Sequence, residues 1–316
     1  MLVVMFHAIG YREDSGLRVA DDSIYRYLAN SLGHVRMPLF TVITGFVYAL
    51  RPVRAGSGRR FLLGKGRRIF LPLLSVSLVQ AILKIATSNP GDLNQWRLLW
   101  RIWVFPFDHF WFLQAILQVF LVAGILDVLR MMDRWQTWLS CLIAAIAFAC
   151  IAPGWTVFAF SGFTSLLPYF VLGYGLNRYP STLRLPALLV FVMLAVVAAI
   201  GIQQSRLILD LPQEPAWLLG RRGLVGFAVG LGVPMLLFIA RPAWRPLSWL
   251  GGFAYTIYLF HAMAVTATRI GMARFLTDNR EVLFVVSVTI GIIAPILVES
   301  VLRRWIVTRR LFLGQR

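Results

Sequence analysis

An all-α integral membrane fold of about ten transmembrane helices, the first truncated at the N-terminus, is what this 316-residue sequence predicts. Three observations carry the prediction. Only 14% of residues are charged and 59% are hydrophobic, where soluble domains carry roughly 25% charged residues. Apolar stretches recur at about the ~20 residues that a spanning helix requires. Basic residues in the breaks between them are sorted by side, as membrane topology demands. Eleven Trp, nine Tyr and 23 Phe suit aromatic belts at two interfaces.

The apolar stretches run roughly 1–11, 37–50, 69–88, 110–129, 137–153, 155–176, 185–202, 217–239, 247–270 and 282–302. Lipid forces backbone groups to bond within the segment, so these read as helices. The two-residue alternation of a membrane barrel is absent. The opening "MLVVMFHAIGYRED" is too short to span and lacks the basic lead-in and cleavage site of a signal peptide. It reads as the second half of a helix. The second stretch, "MPLFTVITGFVYAL", is also short and is expected to extend back into "NSLGHVR". Cys141 and Cys150 share one apolar stretch, with neither metal spacing nor a disulfide framework, and read as core residues. No repeat, low-complexity tract or soluble appendage stands out, so residues 1–316 read as a single membrane domain.

The net charge of +18 would suggest nucleic acid in a soluble protein. Here it sorts by side. If 51–68 is cytoplasmic, so are the breaks at 130–136, 177–184 and 240–246 and the C-terminal tail. That side holds 18 of the 31 basic residues but only Asp127, Asp133 and Glu299 of the 13 acids. The long polar breaks 12–36 and 89–108 face outward. The basicity is therefore a topology signal, and nucleic acid is not an expected partner.

Ionisable residues at membrane depth are functional candidates by default. His7, His109, His261, Arg221 and Arg222 qualify, each against a structural reading. A lone intramembrane histidine often bonds a neighbouring helix, and Arg221, Arg222 and Lys84 have the reach to snorkel to the outer interface. Glu299 and Arg303 have the spacing of a helical ion pair. No Gly-rich phosphate loop, nucleophile elbow or His/Cys metal spacing is present. These residues alone leave two classes open, a membrane enzyme and a multi-pass transporter or flippase of a glycolipid or small molecule.

The order of local patterns goes further. "VVMFHA", "RMPLFTVITGF", "KGRRIFLP", "HFWFL" and "AYTIYLFH" resemble, in order, sequence elements of the acyltransferase-3 family of integral membrane acyltransferases. That family includes O-antigen, exopolysaccharide and fucose O-acetylases. Arg36 stands where many members have His, Thr44 and Ala254 where Ser is usual, and Lys65 with Arg68 fills an Arg-x-x-Arg spacing. The family carries a basic residue about eleven positions before its first-helix His, whereas only six residues precede His7. The expectation is that about 15–20 residues of that helix are missing.

The resemblance implies transfer of an acyl group, acetyl foremost, from acyl-CoA to a hydroxyl of a cell-surface carbohydrate or glycolipid. It implies no permanently bound cofactor and no metal, with acyl-CoA as donor substrate. Partners are then acyl-CoA, a carbohydrate or lipid-linked glycan acceptor, and membrane lipid. His7 is implied as the catalytic residue, either as the base for the hydroxyl proton or as a covalent acyl relay. Lys65, Arg67 and Arg68 are implied to bind the donor. Arg36, His109, Trp111, Tyr258, His261, Arg221 and Arg222 are candidates to line a lumen or touch substrate. The implied location is the bacterial inner membrane, multi-pass, with a cytoplasmic C-terminus.

Overall fold

A computed structural model of the chain describes residues 1–88, 93–212, 215–242, 244–277 and 279–316. Residues 89–92 of the outward break 89–108, and 243 of the break 240–246, lie outside the described residues. The helices are α1 (Leu2–Ile9), α2 (Ile24–Ser31), α3 (Arg36–Ala49), α4 (Gly58–Lys65), α5 (Leu71–Ser88), α6 (Trp111–Val128) and α7 (Trp135–Ile151). They continue as α8 (Phe160–Arg178), α9 (Pro186–Ile208), α10 (Leu224–Ala240), α11 (Arg245–Gly251), α12 (Ala254–Phe275), α13 (Arg280–Leu302) and α14 (Ile306–Leu313). No strand occurs among the described residues.

Each of the ten apolar stretches contains a helix. Six helical stretches are long and apolar enough to cross a membrane, and the bent pair α11–α12, turning by 80°, makes a seventh. The other three, α1, α3 and α7, have eight, 14 and 17 residues. The second stretch does not run back through "NSLGHVR". α3 starts at Arg36, because Leu32 closes a turn by accepting from the Val35 and Arg36 amides. Hydroxyls inside the apolar helices bond back one turn, as Thr41 does to Met37 at 2.8 Å and Thr44 to Phe40 at 2.9 Å. That keeps them satisfied without water.

The chain packs as two compact units. One comprises Met1–Asn30, Lys65–Phe110 and Ala243–Arg316. In it α1 lies against α12 and α13, where Val4 and Ala8 pack with Ile257, Val265 and Ile292. Gly291 admits that approach, since a Cβ there would stand 2.7 Å from both Val4 and Val265. Past α1 the chain turns at Gly10 (φ 88°) and folds back at Gly16 (φ 63°), conformations that glycine adopts at little cost. Two arginines, Arg26 buried and Arg269 half-buried, hold this loop. Arg26 donates to the Gly10 carbonyl at 2.5 Å and Arg269 to the Gly16 carbonyl at 2.6 Å.

The same unit contains a π turn, Gly66–Phe70, between α4 and α5. Its cause is Pro72, which has no N–H to give the Arg68 carbonyl one turn earlier. Tyr255 of α12 supplies the missing donor, its hydroxyl lying 2.6 Å from the Arg68 oxygen. Tyr255→Phe should leave that carbonyl without its partner, at a cost of about 1–3 kcal/mol. Thermal unfolding in detergent checks this, and an unchanged midpoint would mean that the carbonyl finds another donor.

The second unit comprises Ser31–Gly64 and Trp111–Pro242. Its centre is the crossing of α3 and α8, where small residues let backbones touch. A Cβ on Gly173 would lie 2.8 Å from the Val42 carbonyl carbon and 2.9 Å from the Phe46 nitrogen. Gly173→Ala should therefore destabilise by about 1–3 kcal/mol, read as a lower unfolding midpoint of the purified protein. Wild-type stability would show that α3 and α8 can separate freely. Trp138 closes one side by donating to the Val171 carbonyl at 2.8 Å. Asp127 accepts from the Tyr48 hydroxyl at 2.5 Å and the Val53 amide at 3.0 Å, pinning the chain that follows α3 to the end of α6.

Candidate active site

Three of the chain's four histidines converge in the first unit. His7 is half-buried on α1, one residue before buried Ala8. His109 sits in the 3-10 turn Asp108–Phe110 and His261 in the middle of α12; both are buried. Ring centroids lie 4.9 Å apart for His7 and His261, 4.8 Å for His109 and His261, and 5.8 Å for His7 and His109. Among the described residues no three His, Cys, Asp or Glu side chains are placed to hold a metal ion.

Local chemistry fixes each ring. Asp108 takes φ 42°, a conformation that Asp tolerates better than most residues. Its carboxylate accepts from Gln80 at 2.8 Å and pairs with Lys84 at 3.2 Å. Lys84 thus has a partner on the His109 turn rather than only a free reach to the interface. The His109 carbonyl accepts from the Tyr258 hydroxyl, and Phe110 lies over the His109 ring at 4.2 Å. Nε2 of His109 faces the Leu259 carbonyl at 3.3 Å. Nδ1 of His261 faces the Ile257 and Tyr258 carbonyls at 2.9 and 2.8 Å. The remaining nitrogens, His109 Nδ1 and His261 Nε2, are buried without a hydrogen-bond partner among the described residues. Buried polar atoms in that state are uncommon and call for an explanation.

Lys65, Arg67 and Arg68 lie at the π turn of the same unit. Gly314, in the left-handed conformation at the end of α14, brings the C-terminal backbone against that of Arg67 and Arg68. The two basic segments therefore share one side of this unit, and Arg310 and Arg316 come within electrostatic reach of Arg67. Among the described residues no carboxylate pairs with Arg67, Arg68, Arg310 or Arg316. One face of α12 joins the two places. Tyr255 bonds the Arg68 carbonyl, Tyr258 the His109 carbonyl, and His261 follows three residues later. Six residues of helix rise about 9 Å.

The other sequence candidates belong to the second unit. Arg36 opens α3, with exposed Arg221 within its electrostatic reach. Trp111 opens α6 and packs over Gly162. Arg222 is tied to protein acceptors rather than reaching out freely. Its guanidinium donates to Ser161 (carbonyl 2.5 Å, hydroxyl 2.7 Å), Thr164 (2.9 Å), Ser165 (2.8 Å) and the Ala152 carbonyl (3.2 Å). Five acceptor atoms on four residues hold this half-buried cation by charge-assisted hydrogen bonds. Glu299 and Arg303 form the ion pair that their spacing predicts, with Glu299 buried. Sequence reasoning passed over Arg26, Arg269, Gln80, Asp108 and Tyr255, whose partners are distant in the chain.

Searches of curated proteins and of solved structures return no significant match. A family comparison does: residues 1–303 match the acyltransferase domain of acyltransferase-3 proteins. The match covers nearly the whole chain and runs through every helix but α14, so the fold and the family describe the same molecule. It also decides between the enzyme and carrier classes that the isolated intramembrane residues left open. The chain belongs to the acyltransferase-3 family and is a multi-pass membrane acyltransferase.

Proposed function

We propose that the protein moves an acyl group, acetyl foremost, from acyl-CoA to a hydroxyl of a cell-surface carbohydrate or lipid-linked glycan in the bacterial inner membrane. The observation that carries this reading is the pairing, within one unit, of an uncompensated basic face with a buried imidazole cluster. Arg67, Arg68, Arg310 and Arg316 lack carboxylate partners among the described residues, which suits the several phosphates of coenzyme A. Lys65 belongs to the same segment. With that face cytoplasmic, as the positive-inside count of the sequence suggests, the donor enters from inside and the acceptor is met across the membrane.

In this reading His7 is the catalytic base. The acceptor hydroxyl oxygen attacks the thioester carbonyl while His7 takes its proton, and an imidazole titrating near neutrality suits that work. The tetrahedral intermediate then expels the coenzyme A sulfur as the C–S bond breaks, and the sulfur takes a proton as it leaves. No metal or resident cofactor enters the scheme. Membranes holding the protein, supplied with radiolabelled acetyl-CoA, test donor use directly. Mass spectrometry of surface glycans from a deletion strain identifies the acceptor. Loss of no O-acyl group, together with no acetyl-CoA turnover, would overturn the proposal.

A further inference from the structure

We propose that His261 is the positioning residue for His7: its Nε2 lone pair receives the ring N–H of His7 and holds the opposite nitrogen bare for the acceptor hydroxyl. The inference rests on His7 being the base, but its structural half stands independently. A carbonyl oxygen only accepts hydrogen bonds, so the nitrogen facing one must carry the hydrogen. Nδ1 of His261 faces two carbonyls, of Ile257 and Tyr258. Its hydrogen is therefore on Nδ1, and Nε2 is a lone pair in the neutral ring. His109 is the reverse. Its Nε2 faces the Leu259 carbonyl, so its bare nitrogen is Nδ1.

The bare nitrogens are also the two that lack partners among the described residues. A neutral imidazole with a lone pair in an apolar interior is costly unless a donor arrives. The donors for them are the ring N–H of His7, already beside His261, and the hydroxyl that the acceptor brings. His261 is the nearer ring to His7, at 4.9 Å between centroids against 5.8 Å for His109. His261 is fixed from behind by its own helix, so its lone pair cannot turn away. The arrangement does for His7 what an orienting hydrogen-bond acceptor does for a catalytic histidine elsewhere: it selects a tautomer and stabilises the imidazolium as it forms. Tyr258, one turn earlier, holds the His109 carbonyl and so keeps the third ring in place.

Two measurements on the full-length protein test this. Solid-state NMR of the protein with 15N-labelled histidine reads ring protonation directly, and four histidines are few enough to assign by single substitutions. The expected result is opposite tautomers, with hydrogen on Nδ1 of His261 and on Nε2 of His109. Hydrogen on Nε2 of His261 would overturn the proposal, and this readout needs no acyl transfer. In acyl-transfer kinetics His261→Leu should lower kcat on the order of 10²-fold, with donor KM within about twofold. His261→Gln, whose side-chain oxygen can reach the Nε2 position and accept, should recover at least about tenfold of that loss. A Gln variant no better than Leu at equal folded protein would reduce His261 to packing and overturn the proposal. Wild-type protein inert toward every acyl-CoA would instead refute the functional reading, leaving the tautomers to decide the structural half.

Discussion

His7→Ala is expected to lower acyl transfer on the order of 10³-fold while the protein still folds and inserts. The two effects separate because α1 divides its labour by face. Val4 and Ala8 make its packing against α12 and α13. His7 is half-buried and turned toward the other two imidazoles. Truncating it removes the reading's base but leaves the apolar seam of α1 intact. The measurement is an initial rate normalised to inserted, monodisperse protein. Near-normal activity would remove His7 from the chemistry. Intact-mass analysis after incubation with donor alone then separates its two roles. A base leaves the protein unmodified, whereas a covalent relay adds the mass of one acyl group, which the alanine variant cannot acquire.

How far the fold was legible depends on what kind of information a position carries. Hydropathy over twenty residues is local, so all ten stretches located helices, including the bent pair α11–α12. Boundaries went astray where a distant group decides them. The helix preceding the third stretch begins at Gly58 and carries a π turn, since Pro72 breaks the ladder and Tyr255 repairs it from 187 residues away. The site divides in the same way. His7, His109 and His261 stand out in sequence as imidazoles in apolar runs, and their meeting is a matter of topology that no local pattern contains. Arg222 shows the limit best. By hydropathy it is a snorkelling candidate, and only the fold supplies Ser161, Thr164 and Ser165 as its acceptors.

Arg26 and Arg269 illustrate a further class. Arg26 lies in the polar break 12–36 and Arg269 at the end of the apolar stretch 247–270, and each holds a backbone carbonyl of the loop after α1. Their work is to place the segment that follows His7, and sequence assigns them only to the charge count. Arg26 also pairs with Asp21 at 3.1 Å, but Arg269 has no carboxylate partner among the described residues, so charge pairing in the sequence cannot reveal it.

Arg68→Glu is expected to lower kcat/KM for the acyl donor tenfold or more while leaving acceptor KM nearly unchanged. A charge-assisted phosphate contact contributes about 1.5–3 kcal/mol, and reversal adds repulsion to the loss. Arg68 is exposed on a face shared with Arg67, Arg310 and Arg316, so the side chain is accessible and its neighbours remain cationic. Its backbone carbonyl keeps the Tyr255 bond whatever the side chain, which argues that the π turn survives. Arg310→Glu, on the C-terminal helix, should produce the same donor-specific defect if the two segments form one anion site. Combining the two should approach the product of their effects unless the residues share one phosphate, in which case the second reversal costs less. The competing account gives these residues only the task of setting orientation. It predicts normal donor kinetics in whatever fraction inserts correctly, and no effect from Arg310 once α13 is in place. Inserted protein and donor kinetics measured on the same membranes distinguish them, since a topology defect lowers the amount of active enzyme and leaves its donor KM untouched.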